Sequence, residues 1–520
     1  MLLAGVVILG LALRVWLNAR SQWMIEGDEA LFGIGAVRLL HGDFPTFLYG
    51  VPYMGMLQSY LAAPVVALLG PSAPALRCVT LLSGVAFIVT TWFLAMAWYG
   101  RGVAVVAALL AAVPSVYFDA VSLKVWGSYV DIMVLGDLLL LGAWYCRVYQ
   151  GVLQRWHWLV LGFISGLALW ANLLVADYLL TALLLLPWRR IRRWLPSALA
   201  FGLPGFALGG APLWWYNLHH AGATFRWLFA GTGAGSADDL AVLHVLFRTL
   251  LPRVVGLTSP WGSLPGGLTV ALGCAVAGAL ALAAADAPRQ WRARGASAVS
   301  AVPESRPLLV FLAVTLAVYV LSGFGRPSLS PFDASGRYLL PLWTALPVLL
   351  AALCVRLATV WRPLGAAALA LLLVGNMVGH LTSDPVQVFQ SPYWNRLPMD
   401  SRPLLHWLQD NDVYDVWLNH WAGDPLMYLS GDSVRSADYY DIVVGHAINR
   451  FPTDFRSVEL SQRAAFVLVV GSLPSPGLGS ALRKLGVTFR QATVGPYLVY
   501  LPLSRRVDPS EVVNALRYPY

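Results

Sequence analysis

Charge is scarce in this chain. Only 12% of its 520 residues are Asp, Glu, Lys or Arg, about half the share of a soluble domain. Cysteine is rarer still. Cys78, Cys146, Cys274 and Cys354 lie in or at the ends of apolar segments, and no two share a CxxC spacing. That argues against a disulfide framework or a cysteine zinc site and leaves small side chains inside membrane helices. No P-loop and no dinucleotide-binding glycine fingerprint occurs, so nothing calls for a nucleotide. No internal repeat suggests the inverted halves of a transporter.

Apolar residues are abundant, at 58% of the chain. They fall in long runs. A membrane helix needs about 20 of them, and by that measure the sequence predicts about eleven spans. These lie near 1–19, 76–98, 103–118, 127–146, 157–171, 173–188, 196–213, 263–285, 308–323, 339–355 and 364–381. The first run lacks a basic leader and a small-residue cleavage site, so it is expected to be a retained span.

The formal charge is +9. Basic residues sit in short loops between apolar runs, so they report topology and not nucleic-acid binding. "WRRIRRW" at 188–194 is the densest cluster. Placing it inside makes the N-terminus cytoplasmic. The loops at 20–75 and 117–126, the segments at 213–262 and 324–338, and the tail from 382 then face outside.

The expected class is an α-helical multi-span membrane protein with a small C-terminal α/β domain outside. The division is 1–381 for the membrane part, with its first outer loop at 20–75, and 382–520 for the tail. In the tail, "SRPLLHWLQDN" reads as an amphipathic helix and "AAFVLVVG" as a buried strand. "VTFRQATVGPYLVYLP" reads as two strands around Gly495–Pro496, and Gly486 as a helix stop.

Ionisable residues at membrane depth are expensive, so each asks for a role. "EGDEALFGIGAVRLLHGDFP" at 26–45 crowds Glu26, Asp28 and Glu29 just after the first span. Asp28 suits a helix N-cap, with Glu29 favouring the dipole. The helix that follows is expected to lie flat on the membrane surface. A prolyl and aromatic stretch containing Tyr53 and Gln58 comes next, as suits a loop taking one substrate from lipid and one from water. In "YFDAVSLKVWGSYVDIMVLGD", Asp119, Lys124, Asp131 and Asp137 punctuate two apolar runs. Lys124 either snorkels at the boundary or binds an anion. A carboxylate here facing Asp28 makes a pair able to divide into a base and an orienting or metal-binding partner.

Further on, Tyr216 and Asn217 end a span before His219 and His220. These suit an interfacial belt, while Trp214, Trp215 and Trp227 suit either the belt or a sugar groove. In "FDASGRYLLPLW", Arg337 and Tyr338 open a span on the outer side. Two readings stand for Arg337: a grip on an anionic head group, or a pair with Asp333.

At these residues the chain resembles the GT-C glycosyltransferases, in the branch of the protein mannosyltransferase-like and aminoarabinose transferase-like membrane enzymes. "GDEALFGIGAVRLLHGDFPTFLYGVPYMGMLQSYLAAP" carries the likeness most specifically. "SLKVWGSYVDIMVLG", "APLWWYNLHHAGATF" and "GRYLLPLW" are similar to later blocks. Gln58 departs from a glutamate expected in that group. The resemblance implies a multi-pass enzyme of the cell (inner or plasma) membrane. It moves a hexose or pentose from a polyprenyl-phosphate carrier to a lipid, glycan or protein acceptor on the outer face, with inversion. It implies Asp28 as base, Glu29 as its neighbour, and Asp131 as second acid, with Asp119 as the alternative. Arg337 and Lys124 hold the carrier phosphate. Tyr53, Gln58, Tyr216, Asn217 and Tyr338 frame the substrates. The resemblance fixes no cofactor, and a divalent metal ion is left open. The rival class is a transporter or lipid-linked sugar flippase, for which Asp137 is the residue that speaks.

Overall fold

The computed structural model describes residues 1–149, 153–229, 239–293, 304–322, 336–390, 398, 400–438, 450–470 and 477–516. The chain packs as two compact units. One comprises Met1–Ala19, Pro52–Gly55 and Thr80–Val388, the other Arg20–Val51, Met56–Val79 and Phe389–Tyr520.

The first unit is helical. Among the described residues, six helices of the chain are long and apolar enough to cross a membrane: Leu2–Arg20, Ala73–Tyr99, Tyr129–Val148, Gly266–Ala287, Arg337–Val360 and Arg362–Thr382. A seventh span is possible from Arg101–Ala112 and Val116–Ser122, which meet at a 71° bend. Helices stand at the other expected positions too, but they are shorter, including Leu173–Leu185, Trp194–Gly209 and Arg306–Leu321. Length and composition thus support six or seven spans and leave the count of eleven unestablished.

Two polar threads cross this apolar interior. Arg14 Nη2 lies 3.3 Å from Asp119 Oδ1, and His380 Nε2 lies 3.5 Å from Asp119 Oδ2. At the bend, Asn376 Nδ2 donates to the Val113 carbonyl at 2.7 Å, and His380 Nε2 is 3.0 Å from the Pro114 carbonyl. Elsewhere Thr90 and Thr344 donate to Asp137 at 2.7 and 2.8 Å. These partners explain how the charges tolerate burial, because an unpaired polar group there costs several kcal/mol.

The second unit joins the first outer loop to the C-terminal sheet. The strands are β1 (Asp415–Trp417), β2 (Arg435–Ala437), β3 (Ala465–Val469), β4 (Phe489–Val494) and β5 (Tyr497–Pro502). Their order is β2-β1-β3-β5-β4. β1 runs parallel to β2 and β3, while β3–β5 and β4–β5 are antiparallel. The helix His420–Leu429 leaves β1 and returns to β2, and Pro452–Leu460 leads into β3. Gly495 turns the β4–β5 hairpin at φ +57°. Phe466, Leu468, Leu482 and Tyr500 fill the core on one face.

The helix Gly27–Leu40 does not lie flat on a surface. Ala30 to Val37 are all buried within this unit. Its glycines make that possible. A Cβ at Gly33 would meet the Tyr428 ring at 2.5 Å, and one at Gly35 would meet Met56 at 2.2 Å. Small residues therefore let Leu57–Leu69 and His420–Leu429 close on it from two sides. Arg38 adds ion pairs to Asp432 at 2.8 Å and Asp454 at 2.6 Å.

Candidate active site

In the second unit, the acidic motif opens the helix Gly27–Leu40. Glu26, not Asp28, takes the N-cap. Asp28 therefore lies in the first turn, where the helix dipole favours an anion. Glu29 is buried. Arg77 Nε and Nη2 donate to its two carboxylate oxygens at 3.0 and 2.6 Å, and the Arg77 guanidinium lies 4.5 Å from the Phe389 ring centre. A sealed bidentate pair of this kind fixes the helix. Asp28 is the more accessible neighbour, at 20% side-chain exposure, with Arg450 Nη2 3.6 Å from its Oδ1. Arg450 Nη1 also donates to the Tyr49 carbonyl at 3.1 Å.

Behind Arg450 lie residues that the sequence reading did not single out. His420 Nδ1 is 2.8 Å from Asp438 Oδ2. Asp424 follows one turn along the same helix and is 5% exposed. Burial pushes its carboxyl up to about 7; His420 and Arg450 pull it down, and Asp28 and Asp438 push it further up. The signal was present in "VWLNHWAGD": a β-rich triplet, an Asn cap, then His and Asp four apart on one helix face. Asn419 Oδ1 does accept from Trp421 N at 3.0 Å, capping that helix. Gln58, also in this unit, is buried at 1% exposure.

In the first unit, two predicted cations meet over one indole. Lys124 Nζ lies 4.7 Å from the Trp126 ring centre and the Arg337 guanidinium 5.3 Å from it. Arg337 Nη2 donates to the Tyr338 hydroxyl at 3.3 Å, and Tyr338 meets Tyr129 edge-on at 6.4 Å. Trp126 is fixed by its own Nε1–H, which donates to the Val121 carbonyl at 3.1 Å. Gly127 at φ +144° and Ser128 at φ +58° turn the chain into the helix that carries Asp131. Asp131 is buried and accepts from the Ser83 hydroxyl. Asp333 lies outside the described residues, so the alternative pairing of Arg337 stays open. A separate apolar hollow of about 430 Å³ is lined by Leu110, Leu272, Trp343 and Leu346 among others.

The remaining predicted residues of the first unit make a small aromatic platform. Tyr53 stacks on Trp227 with ring centres 3.8 Å apart. Asn217 bridges to Thr224, whose hydroxyl donates to the Pro52 carbonyl at 2.6 Å. Tyr216 stacks on His220 at 4.1 Å. Asp119 is held by Arg14 and His380, which makes it a structural group. No cluster of three or more His, Cys, Asp or Glu among the described residues has metal-binding geometry.

Solved structures of ArnT from Cupriavidus metallidurans match this chain almost end to end. The form bound to undecaprenyl phosphate gives a TM-score of 0.60 at 14% identity, covering 96% of this chain and 98% of ArnT. The apo form gives 0.60 at 14%, covering 99% of each. The chain has the fold of ArnT. The arabinofuranosyltransferase AftD from Mycobacteria shares it less closely, with a TM-score of 0.51 and 15% identity over 96% of this chain and 40% of AftD. No family model and no curated protein matches the sequence.

Proposed function

We propose that this chain is an integral membrane glycosyltransferase taking a sugar, hexose or pentose, from a polyprenyl-phosphate carrier to an acceptor on the extracytoplasmic face. The observation that carries the reading is the two-way, full-length match to ArnT, one structure of which is bound to undecaprenyl phosphate. The acidic helix start and the paired outer cations support it on chemical grounds.

Asp28 is the base. The acceptor hydroxyl oxygen attacks the anomeric carbon opposite the phosphate. The new C–O bond forms as the carbon–phosphate oxygen bond breaks. The electron pair leaves with the phosphate, the hydroxyl proton passes to Asp28, and configuration inverts. Glu29, sealed against Arg77, keeps Asp28 in place. Lys124 and Arg337 hold the departing phosphate, whose charge grows as the bond breaks. Asp131 orients the sugar. Tyr53, Gln58, Tyr216, Asn217 and Tyr338 frame donor and acceptor. The reaction requires Asp28 and the two cations to face one opening to the lipid. The Lys and Arg bias puts the N-terminus in the cytoplasm and the C-terminal domain outside.

The test is direct. Membranes containing the protein are incubated with a panel of polyprenyl-phosphate sugars and carrier release is followed. Asp28→Asn is expected to lower transfer on the order of 10²–10⁴-fold with insertion unchanged. Transfer at the normal rate removes Asp28 from the chemistry. Movement of a labelled lipid-linked sugar across vesicles with no product favours the flippase.

A further inference from the structure

Open α/β sheets bind ligands beyond the carboxyl ends of their parallel strands. Here that edge of β1 and β2 carries a polar cleft of about 270 Å³, lined by His420, Asp424, Ser436, Asp438 and Arg450. Much of that space is open to solvent, so the cleft admits a hydroxyl group below its mouth and not a whole ring. Two of its side chains are more than nine-tenths buried, Asp424 at 5% and His420 at 7% exposure. Asp424 Oδ2 and His420 Nε2 have no hydrogen-bond partner among the described residues. A buried polar atom left unpaired costs about 1–3 kcal/mol, and a ligand that pairs both removes that cost. The cleft also adjoins Asp28, through Arg450.

We propose that this cleft binds one sugar ring of the acceptor through its hydroxyl groups, delivering the next hydroxyl to Asp28. The proposal deepens the glycosyltransferase reading and rests on it. The chemistry selects the ligand class. With Nδ1 turned to Asp438, His420 presents Nε2 to the cleft as a hydrogen-bonding atom. Asp424 offers a carboxyl that gives or takes a hydrogen bond, and Arg450 offers N–H donors. A hydroxyl both donates and accepts, so a vicinal pair satisfies this mixed set. A phosphate meets three carboxylates, those of Asp28, Asp424 and Asp438. A polyamine meets the Arg450 guanidinium.

The experiment uses the full chain in detergent and saturation-transfer NMR with methyl glycosides of mannose, galactose and arabinose, and with putrescine and inorganic phosphate as counter-probes. Ring-proton signals are expected from at least one glycoside. They are expected to weaken about tenfold, the loss of one good hydrogen bond, in Asp424→Asn and independently in Ser436→Leu, which fills the cleft. Glycoside signals that persist in both variants, their absence from the wild type, or saturation of putrescine or phosphate alone overturns the subsite. The two readings fail separately. Glycoside binding lost in the variants, in a chain that transfers no sugar, leaves the cleft and ends the transferase. Transfer that depends on Asp28, without glycoside binding, does the reverse.

Discussion

Asp424 illustrates what a buried acid does to the stability of a protein. Its carboxyl is held up near 7 by burial, against an ordinary value of 3.8. Between those values the unfolded chain has lost the proton and the folded chain retains it. Stability from this group is therefore complete below about pH 4, falls as pH rises, and levels off above about pH 7. The slope is at most ~1.4 kcal/mol per pH unit. Asp424→Asn removes the slope. Thermal melts in detergent are expected to give the variant a higher Tm than the wild type at pH 8 and a similar one at pH 4. A variant less stable at both values contradicts the assignment. Retaining a costly residue of this kind is what a binding site demands.

At the scale of elements, the helix Gly27–Leu40 is tightly constrained by its neighbours. Gly33→Leu drives a side chain into the Tyr428 ring and is expected to cost about 1–3 kcal/mol or more, read as a lower Tm. Gly5 has nothing within 4 Å of a built Cβ, so Gly5→Ala is expected to leave Tm unchanged or slightly raised. Equal effects at the two sites would mean that the close approach is not what holds the helix. The sequence predicted a helix here but not its burial, because one of its two partner segments, His420–Leu429, lies hundreds of residues downstream. Ala465–Val469 was legible as an unbroken apolar run, and the β4–β5 turn from Gly495–Pro496. The three-residue strands β1 and β2 were not, since "DVW" and "RSA" are too short to alternate. His420, Asp424, Asp438 and Arg450 were missed for the same reason: only the β-α-β winding gathers them. Lys124 and Arg337 were found because a cation among apolar runs stands out wherever the chain folds.

For the whole molecule, the question is which groups share a side of the bilayer. With the native cysteines replaced, Arg192→Cys is expected to react with a membrane-impermeant thiol reagent only after vesicles are opened from the cytoplasmic side. Ser510→Cys is expected to react in intact cells stripped of any outer barrier. Labelling of both in intact cells, or the reverse order, inverts the topology and with it the outer site. The bent pair Arg101–Ala112 and Val116–Ser122 bears on how such a chain is made. Its Val113 and Pro114 carbonyls are met by Asn376 and His380, on a helix synthesised some 260 residues later. Until the ribosome has delivered that helix, the bend sits in lipid with polar atoms bare. Early segments must wait beside the insertion machinery, and a nascent chain that stops short of residue 362 becomes quality-control substrate however well its first spans are hydrophobic.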